Sequence, residues 1–279
     1  MTAQSKQDVL MVPVANPETV DRLLDTAIDV ARERSMTVVP IHVVEVPAQL
    51  PLSEGDRLVD EEQRQILDDA ADRCAAAGIE ADTRMRYARD VATGIVGAVD
   101  EHGVDVLLMG WRGRPRRRDI VLGSFLDRVI GEAACDVFVK RIQRPPSDTE
   151  SILVPIADGP HCTLSVELAA TIAAQRDASV RLLHVLQGDA PEEDAIELLE
   201  RYTDPFDERG IEREVDVVRN DHVGGAITDA TAHHGLTILG ATREPFLRRK
   251  LVGSVAEGVG RSAASQVILT RKYTKSGEN

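Results

Sequence analysis

The stretch VLMVPVANPETVDRLLDTAIDVA, residues 9–31, decides the fold class. Its first seven residues, to Ala15, form a nearly unbroken apolar run, the pattern of a strand buried on both faces. Asn16-Pro17 then reads as a helix N-cap followed by proline at the first helical position. Val20, Leu23, Leu24, Ala27, Ile28 and Ala31 follow at helical spacing. A buried strand feeding an amphipathic helix is the opening unit of a parallel α/β sheet.

The unit recurs. ILVPIA (152–157) matches VLMVPVA (9–15) and sets Pro155 against Pro13. SVRLLHVL (179–186) resembles TVVPIHVV (37–44) and sets His184 against His42, again 142 positions apart. GIEREVDVVRND (210–221) resembles GIEADTRMRYARD (78–90). LVGSVAEGVGRSAASQVILTR (251–271) resembles VLGSFLDRVIGEAACDVFVKR (121–141), now at an offset of 130. Between the copies, QRPPSDTE (143–150) carries Pro145-Pro146, which join neither a helix interior nor a regular sheet. The expected organisation is a first domain over 1–142, a linker over 143–150, a second domain of the same fold over 151–273, and a disordered tail over 274–279.

Within the first copy the pattern predicts strands at 8–15, 37–44, 79–88, 104–109 and 136–141. Helices are expected to follow the first strand and to occupy 53–77, 92–102 and 124–134. The helix over 53–77 is expected to start at Ser53, with Asp56 three residues on, where an acid suits the positive helix end. Alternation of strands and helices implies a doubly wound parallel sheet in each half. Ligands in such sheets sit beyond the carboxyl ends of the strands, where strand order reverses. That singles out the loops at 15–17 and 110–124, and at 157–160 and 240–254.

Composition excludes several functions. The chain of 279 residues carries 47 acids against 33 bases, a net charge of -14, and each half contributes -7. Only five of the bases are lysine. This balance fits a halophile's hydrated acidic surface and argues against nucleic-acid binding. Aromatics at 3% leave no stacking platform for bases of a single strand. Cys74, Cys135 and Cys162 are odd in number and widely spaced, with neither a zinc pattern nor a disulfide framework. The N-terminus lacks the apolar core of a signal peptide, and no run approaches the length of a membrane span. A cytoplasmic protein without membrane insertion is expected.

Against this acidity, GWRGRPRRRDIVLGS (110–124) packs five arginines into positions 112–118 between glycines. Gly110 and Gly113 open the loop, and Gly123-Ser124 closes it at a helix start. Glycine lets backbone N–H groups approach a ligand unhindered, and a helix N-terminus adds unpaired donors and partial positive charge. The run therefore reads either as a solvated arginine surface, the commoner case, or as a phosphate loop with Arg112 and its neighbours raising the local anion concentration. The Walker pattern and a G-x-G-x-x-G after the first strand are both absent.

Gly110-x-x-Gly113, nine residues, then Gly123-Ser124 resembles the nucleotide loop of universal stress proteins, and the flanking segments resemble the family's carboxyl-terminal signature in both halves. The resemblance covers nearly the whole chain as two tandem copies. It implies an adenine nucleotide alpha hydrolase-like sheet ordered 3-2-1-4-5 and a regulatory role in stress without catalytic turnover. It also implies binding of ATP or another adenine nucleotide, with magnesium accompanying it, favoured in the first domain. A weak ATPase is the lesser possibility.

In that reading the site comprises Pro13, Val14, Ala15, Asn16, Val43, Gly110, Arg112, Gly113, Gly123, Ser124 and Phe125. Its second copy comprises Ala157, Asp158, Val185, Gly240, Arg243, Gly253, Ser254 and Val255. The family's last strands pair, which here would join 136–141 to 265–271 as an internal pseudo-dimer, with a homodimer as a further arrangement. Related domains are attached to membrane transporters, so the alternative is a nucleotide-free interaction module serving an unknown protein partner such as a transporter. The chain departs from the family's pattern in two ways, of which the first, at Ala15 and Ala157, favours that alternative. The aspartate that the family carries at the end of the first strand is Ala15 here and Ala157 in the second copy, where Asp158 stands one place later. Arg243 replaces the second glycine of the second loop.

His42 and His184 reach the pocket by position, although packed histidines with a satisfied hydrogen bond are the commoner case. His222, His233 and His234 have no evident carboxylate or Cys partner and are expected on a surface helix. Trp111 either caps a ligand, marks a partner surface or shields a strand end. Cys135 reads as a small core residue.

Overall fold

The computed structural model of the chain describes residues 7–112, 124–142, 149–241 and 254–274. The arginines at 114–118, Gly113, Gly123, Arg243, Gly253 and most of the linker lie outside the described residues, as do the side chains of Ser124 and Ser254.

The first half runs β1 (Val9–Pro13), α1 (Pro17–Arg34), β2 (Thr37–Glu45), α2 (Glu61–Ala76), β3 (Arg84–Ala88), α3 (Val91–His102), β4 (Val106–Trp111), α4 (Ser124–Glu132) and β5 (Asp136–Arg141). Its strand order is β3-β2-β1-β4-β5, the expected 3-2-1-4-5. Leu10 is in register with Val38 of β2 on one side and with Val106 of β4 on the other, all parallel. The residue pattern explains the order. Leu10, Met11 and Val12 are fully buried in the central β1, whereas Arg84–Tyr87 of the edge strand β3 are partly exposed.

Asn16 caps α1, its Oδ1 accepting the Glu18 backbone N–H at 2.8 Å. The segment expected as one helix over 53–77 is instead two pieces. Leu52–Leu58 form a 3-10 helix, and α2 begins only at Glu61. The reason is a capping box that outcompetes Ser53: Asp60 Oδ1 accepts the Gln63 N–H at 2.8 Å, and Gln63 Oε1 accepts the Asp60 N–H at 3.1 Å. Gly55 in the 3-10 turn lies so close to the Tyr87 ring that a Cβ would sit 2.4 Å from it. The strand expected from residue 79 begins at Arg84, preceded by a single bridge between Val38 and Ala81.

The second half runs β6 (Ser151–Pro155), α5 (Pro160–Arg176), β7 (Ser179–Leu186), α6 (Glu192–Glu200), α7 (Asp204–Asp207), β8 (Arg213–Arg219), α8 (Val223–Ala230), β9 (Leu236–Gly240), α9 (Ser254–Ser262) and β10 (Gln266–Arg271). Its order, β8-β7-β6-β9-β10, is the same topology. Ile152 is in register with Val180 of β7 and Leu236 of β9.

By contact density the described chain resolves into two compact units. Residues up to Gly110 and 124–137 form the first; Trp111-Arg112 and the residues from Phe138 onward form the second. In the second unit the buried Arg141 caps the C-terminus of α9. Its guanidinium donates to the carbonyls of Gly260 and Ala263 at 2.8 Å and of Ser265 at 2.9 Å. Gly260 carries one of the carbonyls a helix end leaves unpaired, Ala263 and Ser265 lie just beyond that end, and a cation suits the negative end of the helix dipole. Trp111 is also buried there, and a Cβ on Gly260 would lie 3.0 Å from its ring. Trp111 thus shields a strand end.

Candidate functional site

A cavity of about 340 Å³ opens in the second half where strand order reverses, between the ends of β6 and β9. The volume lies within the roughly 300–1,000 Å³ of small-molecule sites. Ile156 and Ala157 contribute from the end of β6, and Cys162 from the first turn of α5. His184, Val185 and Gln187 come from β7 and the residue beyond it. Val223 and Ile227 project from α8 one helical turn apart, and Gly240 closes β9. Val255 and Ala256 come from the first turn of α9. No Asp, Glu, Lys or Arg is among the described lining residues.

Of the second-copy residues expected from sequence, Ala157, Val185, Gly240 and Val255 come together on this wall. Val223, Ile227, Gln187 and Cys162 were not anticipated. The pair Val223/Ile227 was legible as an i, i+4 apolar pair opening a helix, but only a structure shows which loop it faces. Gly240 has a packing reason as well: a Cβ there would lie 2.9 Å from the His161 Cβ and 3.0 Å from its carbonyl carbon. The Cys162 Sγ accepts the Ala157 N–H at 3.4 Å, and burial pushes its thiol pKa up.

Asp158 does not line the cavity. Its φ is 74°, and among the described residues it is the non-glycine in the left-handed region that does not cap a helix C-terminus. Tyr202 donates its hydroxyl to Asp158 Oδ1 at 2.7 Å, the Gly159 N–H donates to the same oxygen at 2.8 Å, and Arg201 stands 3.5 Å from Oδ2. The Tyr202 hydroxyl, then the Gly159 N–H, hold the carboxyl below the usual carboxylate range. Burial, then Asp158, pushes the Tyr202 pKa up to about 12. The displaced carboxylate is thus engaged by the segment between α6 and α7.

The first half is built differently at the matching place. Pro13 and Val14 end β1, and Val14 is buried; Ala15 is exposed and the Asn16 side chain is occupied with capping. Val43 is pressed by α3, since a Cβ on Gly94 would lie 2.5 Å from Val43 Cγ1. Gly110 is half-buried at the end of β4, while Arg112 and Phe125 are exposed. Side chains lace α3 to α4. Arg128 reaches Asp90 at 3.0 Å, the Thr93 hydroxyl at 2.9 Å and Glu132 at 3.3 Å. Thr93 donates both its N–H and its hydroxyl to Asp90. The Thr93 hydroxyl and N–H, then Arg128, hold the Asp90 pKa below its ordinary value.

Gly78 and Gly103 align with Gly210 and Gly235 at an offset of 132. At that offset Asp90 becomes His222 and Thr93 becomes Gly225; at 130, Arg128 becomes Gly258. The lacing is therefore absent from the described second half, where the N-cap His222 makes no side-chain capping bond. His234 is not a surface residue: its Nδ1 bonds Ser151 Oγ, its Nε2 is buried, and burial lowers its pKa.

Among the described residues, no cluster of His, Cys, Asp or Glu is arranged to hold a metal ion, and no helix is long and apolar enough to cross a membrane. The Universal stress protein family model matches residues 8–141 and again 149–271. The Na(+)/H(+) antiporter NhaS5 of Synechocystis sp. (strain ATCC 27184 / PCC 6803 / Kazusa) is 30% identical over 180 residues. That match covers 63% of this chain and 25% of the antiporter, so the chain spans about a quarter of that relative. Two solved structures share the fold. A universal stress protein from Archaeoglobus fulgidus DSM 4304 superposes with a TM-score of 0.71 at 16% identity, over 95% of this chain and 97% of that one. The cytoplasmic domain of a prokaryotic cation chloride cotransporter gives 0.66 at 14%, over 96% of each. Matched twice and over nearly its full length, the chain belongs to the universal stress protein family as a tandem of two domains.

Proposed function

We propose that this chain is a regulatory module of the cytoplasm that responds to an adenine nucleotide, ATP or a relative, held in the cavity of its second half. The observation that carries the reading is that cavity: it lies at the strand-order reversal, has a small-molecule volume, and takes in the first turn of α9. The apolar wall suits a base ring, and the start of α9 offers backbone N–H donors to an anion. Magnesium would arrive with the nucleotide. The first-half glycine loop retains its sequence claim to a second phosphate site. Occupancy is the signal in this mechanism, and turnover is not required. Titration calorimetry of ATP into the full chain should show saturable binding, and Val223→Trp, which fills the cavity, should abolish it. Binding unchanged in a folded Val223→Trp variant would refute the site.

The identity to part of an Na(+)/H(+) antiporter favours a second reading, a module that regulates a membrane transporter. Co-purification of the chain with a transporter from detergent-solubilised membranes, altered by ATP, would join the two readings. Co-purification indifferent to ATP, with no nucleotide bound, would favour the interaction module alone.

A further inference from the structure

The end of α8 is closed differently from its first-half counterpart. There α3 stops at Gly103, left-handed at φ 57°, whose N–H donates to the Val99 carbonyl. At the 132 offset His102-Gly103 become His234-Gly235, and at 142 Val9 becomes Ser151. Gly235 does not take the left-handed conformation. Instead α8 runs into the 3-10 turn Thr231–His233, and the chain leaves it extended at His234, with φ -131° and ψ 146°. Side chains fasten this turn. Thr231 Oγ1 accepts the Ala264 N–H at 2.9 Å, and His234 Nδ1 bonds Ser151 Oγ at the start of β6. Beside that bond the Gly235 N–H donates to the Ser151 carbonyl, and the Gln266 N–H to the Gly235 carbonyl, each at 3.1 Å.

The other ring nitrogen of His234, Nε2, is buried and has no hydrogen-bond partner among the described residues. In an imidazolium both nitrogens donate, so a protonated ring would bury a charge whose Nε2–H meets no acceptor. The charged groups that face the ring are Arg181 on β7, His233 in the turn and Glu214 on β8. β6 and β9 carry no titratable residue, Asp229 of α8 is exposed, and Ala263 to Gln266 are uncharged. Glu214 is already engaged: its Oε2 accepts from Arg181 at 2.7 and 3.0 Å, and Asp216 stands 3.8 Å from the same guanidinium. Burial, then Arg181, hold the ring below its ordinary pKa of 6.5. We infer that His234 is a proton-operated latch: neutral, it pins the end of α8 to the first residue of β6; protonated, it leaves the burial and lets Thr231 to Gly235 open. Ile227, one turn before Thr231, lines the cavity, so the latch holds a helix of the cavity wall.

The latched ring takes its proton below 6.5 and the opened ring at its ordinary value, so the open form binds more protons between the two. Opening therefore grows more frequent as pH falls from 6.5 toward the latched value, by up to about tenfold per pH unit. Amide hydrogen exchange of the full chain between about pH 7 and pH 5 tests this. Protection, corrected for the intrinsic pH dependence of exchange, should fall on acidification at Gly235, Ala264 and Gln266. At Ile156, bonded to the Leu183 carbonyl beyond the other end of β6, it should stay level. His234→Asn keeps a polar partner for Ser151 and does not titrate, so its protection at the three amides should be independent of pH. His233→Asn should retain the wild-type slope. Imidazole NMR of the wild type needs no variant: His234 should titrate below 6.5. Level protection at the three amides in the wild type, a fall shared equally by Ile156, a slope that survives in His234→Asn, or a His234 that titrates at 6.5 or above overturns the latch.

Discussion

Two glycines near the cavity are glycine for opposite reasons. Gly240 ends β9 where the first turn of α5 passes, and any Cβ would press on His161. Gly258 sits within α9 with nothing inside 4 Å of an added Cβ. Gly240→Ala should therefore destabilise the chain by about 1–3 kcal/mol through overpacking. Gly258→Ala should stabilise it by about 0.5–1 kcal/mol through helix propensity. Opposite displacements of the urea midpoint are the check. Sequence made Gly240 conspicuous, but as a loop glycine for phosphates; its packing against α5 was not legible, because α5 is far along the chain. Asp158 shows the same limit. Its one-place displacement was readable in ILVPIAD, whereas its engagement by Tyr202, 44 positions away, was not.

Among the elements, α9 is held at its far end by Arg141 and reaches the cavity at its near end. Arg141→Met should cost about 2–3 kcal/mol, since several buried carbonyls lose a charged donor together. It should also weaken whatever the cavity binds, because the first turn of α9 loses its fixed position. A melting curve read beside an ATP titration tests both, and an unchanged melting temperature would show that the carbonyls find other donors. In the first half the α3–α4 lacing makes Asp90 a pH-sensitive contact. A carboxyl whose pKa is depressed on folding adds stability above the unfolded value near 3.8, and that stability is lost as pH falls through the lower folded value. Removing Thr93's hydroxyl (Thr93→Val) should raise the Asp90 pKa more than Arg128→Met does, as followed by carboxyl NMR titration. Element order was almost wholly legible, since buried strands and capped helices announce themselves locally. The break at Asp60 was not, because two cap candidates, Ser53 and Asp60, competed and only one was joined by a reciprocating side chain, Gln63.

Across the whole molecule, one fold was written twice and then edited. The repeat was legible from Pro13/Pro155 and His42/His184, and both histidines indeed make the same bond, from Nδ1 to the carbonyl of Val14 and of Ile156 respectively. The divergence of the halves was legible only in part. Gly94 against Ala226 and Arg128 against Gly258 look like ordinary drift in sequence, yet in three dimensions they give the first half a packed and laced α3–α4 pair that the described second half lacks. The second-half cavity is the place proposed for the nucleotide, and methyl NMR of the full chain during an ATP titration is the measurement that decides it. Saturable shifts are expected at Val185, Val223 and Ile227, with Val14 and Val43 unmoved at the first equivalent. Shifts confined to Val14 and Val43, or no methyl shift anywhere, would contradict it.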